Sequence, residues 1–202
     1  MKTKIAVFVS GGGTNLQALI DFAAAGKLPD GDICLVLSSN PDAYALKRAE
    51  AAGIDGVTVS RRQSKDQADF EAQIVHHLES YGIELIVLAG FMSILSEDFV
   101  KRYDKRIINV HPSLIPSFCG KGMYGLRVHE AALSYGVKVT GATVHFVNEI
   151  PDGGEIIMQR AVKIRRGDTA ELLQRRVMEQ AEWDILPRAT EQVAKNIRKN
   201  RK

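Results

Sequence analysis

Short, almost continuous apolar runs alternate with helix-period segments through the first half of this chain, and that alternation limits the fold more than any other feature. Ile5-Ala6-Val7-Phe8-Val9 reads as a buried strand stopped by Ser10-Gly11-Gly12-Gly13, and Leu16, Leu19, Ile20 and Phe22 then recur at helical spacing. Ile33 to Leu37 is a second buried run, followed by an alanine-rich helix from about Ala43 to Ala52 and a shorter strand at Gly56 to Val59. A long amphipathic helix is predicted from about Gln67 to Tyr81, with Phe70, Ile74, His77 and Leu78 on one stripe. Ile83 to Ala89 and Arg106 to Val110 supply two more strands. Strands that are apolar throughout and alternate with helices imply an α/β fold whose mainly parallel, doubly wound sheet is covered on both faces. Ligands of such sheets bind beyond the carboxyl ends of the strands, which directs attention to the loops after Val9, Leu88 and Val110.

Beyond Pro112 the pattern changes. A Gly- and Pro-containing loop from Ser113 to Gly125 leads to a helix from about Leu126 to Ser134. Thr140 to Val147 and Glu155 to Val162 then read as strands separated by the turn Pro151-Asp152-Gly153-Gly154, an antiparallel addition to the sheet in the C-terminal half. Thr169 to about Ile197 reads as helical, broken or kinked near Pro187. With 202 residues, no repeat and no linker composition, residues 1–202 are expected to form a single domain.

The net charge of +3 is too small to argue for nucleic acid, and the cations Lys195, Arg198, Lys199, Arg201 and Lys202 read as a solvated, frayed tail. No signal-peptide pattern and no bilayer-length apolar stretch occurs, so a cytoplasmic protein with no membrane partner is expected. The two cysteines do not form a disulfide framework: Cys34 reads as a small core residue, and Cys119 lies in a loop with nothing marking it as a nucleophile. No Cys/His spacing resembles a metal site, and no metal is expected.

Three segments could carry chemistry. Ser10-Gly11-Gly12-Gly13-Thr14-Asn15 joins a strand to a helix; its glycines allow close backbone approach, and free N–H groups at a helix start suit a phosphate. The plain structural alternative is a tight turn capped by Thr14 or Asn15. Asn109-Val110-His111-Pro112 ends the fourth long apolar run, and residues two apart on a strand face the same way, so Asn109 and His111 can converge. An Asn amide can donate to an oxyanion and a His can donate or shuttle a proton. Gly141-Ala142-Thr143-Val144-His145-Phe146-Val147 precedes Asp152-Gly153-Gly154, but Asp-Gly is commonly turn chemistry alone, and neither reading of His145 requires a function. His76, His77 and His129 are weaker candidates.

Taken together, in this order, these segments resemble the glycinamide ribonucleotide formyltransferase family over essentially the whole chain. The resemblance is carried by Val9 to Ala18, by Leu88-Ala89-Gly90-Phe91-Met92-Ser93-Ile94-Leu95-Ser96, by Asn109 to Pro116, by Gly141 to Val147, and by Asp152-Gly153-Gly154 with Gln159. It implies a Rossmann-like fold with a nucleotide-phosphate-binding half over residues 1–110 and a folate-binding, catalytic half over 111–202. It implies Asn109, His111 and Asp152 as catalytic residues, and an acceptor bound at Gly13, Thr14, Asn15 and Glu182. The co-substrate implied is 10-formyltetrahydrofolate, lying against Met92, Ser93, Ile94 and Leu95 with Val147, Asn148, Glu149, Ile150 and Pro151 as the other wall. The partners implied are small molecules only, and the assembly a monomer or homodimer. Ser93 and Gln67 replace arginines frequent in the family, Trp183 follows Glu182 where His is common, and the loop from Phe118 to Leu126 is longer than in many members. Alternatives are transfer to another amine, hydrolysis of the formyl folate, or a silent nucleotide-binding module.

Overall fold

A computed structural model describes residues 1–201. Its seven-stranded sheet is built from β1 (Thr3–Val9), β2 (Gly31–Ser38), β3 (Asp55–Thr58), β4 (Leu85–Leu88), β5 (Ile107–His111), β6 (Val139–Phe146) and β7 (Ile156–Lys163), in the spatial order β3-β2-β1-β4-β5-β6-β7. Strands β1 to β5 run parallel; β6 and β7 are antiparallel additions on the β5 edge. This is the doubly wound α/β architecture that the apolar periodicity predicts.

Because successive strand residues point to opposite faces, β1 feeds two cores. Ile5, Val7 and Val9 join Leu16 and Leu19 of α1 (Thr14–Ala24), Ala45 and Ala49 of α2 (Tyr44–Ala51), and the C-terminal helices. Ala6 and Phe8 pack instead against Phe70, Ile74 and Leu78 of α3 (Gln67–Tyr81) and Phe99 and Val100 of α4 (Glu97–Arg102). Helix α3 begins where Asp66 accepts from the Asp69 N–H and ends at Gly82 in the left-handed region, φ 63°. Helix α4, one and a half turns with Ser96 as its cap, is too short to register as a periodic pattern. After β5 come α5 (Leu126–Tyr135), then β6 and β7, α6 (Ala170–Val177) and α7 (Trp183–Lys199).

Three sequence expectations are corrected here. Cys34 is half-buried, because β2 bulges at that residue: Ile5 pairs with Ile33 but Ala6 with Leu35. The helix from Thr169 does not break at Pro187. It passes through Pro187, and the irregularity is a π-helical turn at Met178–Glu182, immediately before α7. The C-terminal cations are not a loose tail either. Arg198 pairs with Asp30 at 2.5 Å, and Arg201 pairs with Glu84 and donates to the carbonyls of Met1 and Lys2, tying the C-terminus to β1. Lys202 lies outside the described residues.

Just before α6, Asp168 accepts from both terminal nitrogens of Arg176, at 2.5 and 2.7 Å, and from the Arg165 N–H. The carboxylate is 4% exposed. The Arg176 hydrogen bonds outweigh burial and hold Asp168 down at about 2, against an ordinary 3.8. A depressed carboxylate contributes stability that is complete above its unfolded value and is lost as pH falls through the folded one. Asp168→Asn should therefore cost about 2 kcal/mol at neutral pH. Urea unfolding should show that gap narrowing only below about pH 4 and closing near pH 2. A gap unchanged across that window would mean that packing, not charge, supplies it. Among the described residues, no helix is long and apolar enough to cross a membrane.

Candidate active site

The loops after β1, β2 and β4 meet at one end of the sheet. Ser10 accepts from the Met92 N–H at 2.8 Å, which leaves its hydroxyl proton for Ser39 at 2.6 Å, so one side chain fastens all three loops. Gly13 takes φ 71°, and a Cβ there would lie 2.6 Å from that of Ala45. The glycine is required both for its backbone angles and for the close approach of α2. Arg48 braces the turn from behind, donating to the Gly12 carbonyl and to Gln17.

No side chain caps α1. The alternative of a turn capped by Thr14 or Asn15 is not what is seen: neither caps the helix, and Asn15 donates to Glu182 at 2.7 Å. The first-turn N–H groups of α1 are thus left for a ligand, and the helix dipole favours an anionic one. Glu182 closes the π-helical turn and is buried; burial pushes its carboxyl up, against the lowering effect of the Asn15 hydrogen bond. An open cavity of about 450 Å³ runs from Thr14 along the outer face of α1, past Asp21 and Phe22 to Trp183.

The catalytic candidates gather at the carboxyl end of β5. Asn109 pairs across the ladder with His145 and His111 with Thr143. Thr143 and Gln159 then hold the loop after His111: Thr143 donates to the Ser113 carbonyl, and Gln159 to the Ile115 carbonyl and to Thr143. Asp152 arrives from the β6–β7 connection with φ 58°, a left-handed angle that Asp tolerates better than most residues. Its carboxylate lies 3.5 Å from His111 Nδ1 and 3.7 Å from His145 Nε2, and it accepts from the Gly120 N–H at 2.8 Å. Burial pushes Asp152 up, but His145, the Gly120 N–H and the charge of His111 together hold it below its usual range.

His145, which the sequence leaves unassigned, joins this group. Its ring is 2% exposed and lies between Asn109, at 3.3 Å, and Asp152. Only the β5–β6 register brings it there. His129, also without an assigned role, is fully buried with neither ring nitrogen hydrogen-bonded; burial, then the neighbouring charge of His111, lowers it to about 4. Cys119 sits beside this group, yet burial and the Asp152 charge push its thiol up, away from thiolate character.

A family model described as formyl transferase matches residues 3–190. The chain belongs to the formyl transferase family. A phosphoribosylglycinamide formyltransferase of Haemophilus influenzae is 41% identical over 91% of this chain and 84% of its own length. The trifunctional purine biosynthetic protein adenosine-3 of Gallus gallus is 45% identical over 96% of this chain, which spans only 18% of that longer protein. The crystal structure of glycinamide ribonucleotide transformylase 1 from Symbiobacterium toebii superposes with a TM-score of 0.89 at 39% identity, covering 96% of this chain and 89% of that one.

Within this formyl transferase the two expected folate walls differ in character. Met92 and Ile94 are exposed apolar side chains on one wall and Ile150 on the other, at 58%, 86% and 59%. Leu95 and Val147 instead pack against the α3-side core, so they offer a ligand mainly backbone. Ser93 and Asn148 are half-buried; Glu149 and Pro151 are exposed. Gln67 donates to the Ile94 carbonyl and to Glu71, which in turn accepts from the Ser96 N–H and hydroxyl. Gln67 therefore braces the first wall from α3. Among the described residues no group of three or more His, Cys, Asp or Glu is arranged to hold a metal ion.

Proposed function

We propose that this formyl transferase moves the formyl group of 10-formyltetrahydrofolate to the amine of phosphoribosylglycinamide. The observation that carries the reading is the convergence of Asn109, His111 and Asp152 at the end of β5, in a fold whose uncapped α1 stands ready for a phosphate. The acceptor phosphate would rest on Gly13, Thr14 and Asn15, in the half formed by residues 1–110, with Glu182 reaching the acceptor's polar groups from the other half. The folate would lie between Met92 to Leu95 and Val147 to Pro151, against the folate-binding, catalytic half, residues 111–202. The exposed apolar side chains there suit a flat ring, and the backbone groups suit its polar edge.

Asn109 would donate to the formyl oxygen as the amine adds to the formyl carbon and that oxygen becomes negative. His111 would share this task in its protonated form, with Asp152 positioned to balance the charge. In the present arrangement His111 Nε2 contacts the Phe118 carbonyl at 2.9 Å, so the loop after Pro116 has to release the ring before it can face substrate. Asp152 would then take part, directly or through water, in moving the amine proton to the departing folate nitrogen. Holding both reactants in one cleft supplies much of the remaining acceleration. The reading includes a cytoplasmic setting, small-molecule partners, no nucleic acid or membrane partner, and a monomer or homodimer.

Release of tetrahydrofolate should be measured with phosphoribosylglycinamide, with its dephosphorylated counterpart, with methionyl-tRNA and with no acceptor. The reading predicts turnover with the first, at least ~10-fold weaker kcat/KM with the second, and background with the rest. Equal release without an acceptor would mean hydrolysis; preference for the tRNA would mean another acceptor.

A further inference from the structure

We infer that His145 is a positioning residue: it decides which end of the Asn109 carboxamide faces the formyl oxygen. The inference rests on the formyl-transfer reading above.

His145 Nδ1 lies 2.8 Å from the Phe146 carbonyl oxygen. A carbonyl only accepts, so Nδ1 carries a proton. In the singly protonated ring Nε2 is then bare, and it faces two groups, Asn109 Nδ2 at 3.3 Å and Asp152 Oδ1 at 3.7 Å. A bare nitrogen accepts from the amide and has no proton for a carboxylate; the His145 contact that lowers Asp152 belongs to the doubly protonated ring alone. The nearer contact is therefore a hydrogen bond from Asn109 to His145, and the ring is too buried for water to substitute.

The consequence concerns the amide. Its oxygen and nitrogen are nearly the same size, so shape alone does not select between the two flipped orientations. A bare Nε2 does, because the flipped amide would set its carbonyl oxygen against a lone pair. With Nδ2 held by His145, the second N–H remains for the formyl oxygen. The flipped amide would present no donor from Nδ2 along this direction, and an oxyanion facing a carbonyl is destabilised. Were the ring doubly protonated, Nε2–H would donate to Asp152 or to a flipped Asn109 oxygen, and the order would reverse. The charged and titratable groups around the ring, Asp152 and the His111 beside it, are both members of the reacting group.

Two measurements test this. Nitrogen NMR of histidine-labelled wild-type protein at neutral pH should show His145 protonated at Nδ1 and bare at Nε2; a proton on Nε2 overturns the inference without reference to activity. In a double-mutant cycle, His145→Ala should lower kcat by ~10–100-fold with both KM values within ~2-fold. In an Asn109→Ala background the same change should cost nothing further, because its effect passes through that amide. His145→Gln, which keeps an acceptor oxygen, should recover part of the loss. Full additivity with Asn109→Ala, or non-additivity with Asp152→Asn alone, overturns the role. Wild-type protein with the expected tautomer but no formyl transfer overturns the functional reading and the positioning role together. An active wild type with Nε2 protonated overturns only the role.

Discussion

Asp152→Asn is expected to lower turnover by ~10²–10⁴ while leaving KM for the phosphorylated acceptor nearly unchanged. The substitution keeps the shape of the side chain and an oxygen to accept from the Gly120 N–H. It removes the negative charge that stands 3.5 Å from one histidine and 3.7 Å from the other. Without it, no carboxylate favours a charged His111 during the reaction, and the proposed route for the amine proton loses its base. The phosphate contacts proposed at the start of α1 lie away from Asp152, which is why KM for the acceptor should hold. The pH profile sharpens the test. Interactions with His145, Gly120 and His111 keep Asp152 below its ordinary 3.8 despite burial. It therefore stays ionised through neutral pH, and its own protonation should depress wild-type kcat only below about pH 4. An acid limb at higher pH belongs to another group. Near-normal turnover in Asp152→Asn would remove the residue from the mechanism.

Gly154→Ala is expected to be the most damaging small substitution in the chain. An added Cβ would lie 1.7 Å from the Phe146 carbonyl oxygen and 2.7 Å from its carbon, both backbone atoms that no side-chain rotation relieves. The β6–β7 connection would have to move. It carries Asp152 two residues upstream, and the Phe146 carbonyl is the acceptor that orients His145. A cost of about 3 kcal/mol or more is expected, a fall of roughly 10 °C in Tm for a chain of this size. Variants that still fold should also lose turnover, since Asp152 and His145 shift together. Gly153→Ala is a useful contrast: its Cβ would meet the Ile150 side chain at 2.6 Å and the Ile150 carbonyl only at 3.2 Å. Equal stability of Gly154→Ala and wild type would mean that the connection is looser than its contacts imply.

The sheet was legible because its evidence is local. Buried strands such as β1 are apolar throughout, and α3 carries its own stripe, its Asp66 cap and its Gly82 stop within one window of sequence. What eluded reading depends on residues far apart. Cys34 sits in an apolar run like any core residue, and only the register against β1 reveals the bulge. Arg198 and Arg201 read as tail cations because Asp30 and Glu84, their partners, lie far back in the chain. Pro187 marked the right helix, but the wider turn that buries Glu182 lies just upstream. In the site, the period of two along a strand placed Asn109 and His111 together, whereas Asp152 was reached only through resemblance to a family. His145 stayed unassigned because antiparallel register, which sets Asn109 opposite it, leaves no mark in either strand alone.

The most direct test of formyl transfer at this site is a single turnover with an isotopically labelled formyl carbon on 10-formyltetrahydrofolate, enzyme in excess, followed by NMR. The account predicts that the label passes quantitatively into an amide on the acceptor nitrogen of phosphoribosylglycinamide, in step with tetrahydrofolate. Label appearing as free formate, or staying on the folate while both ligands are bound, would contradict it.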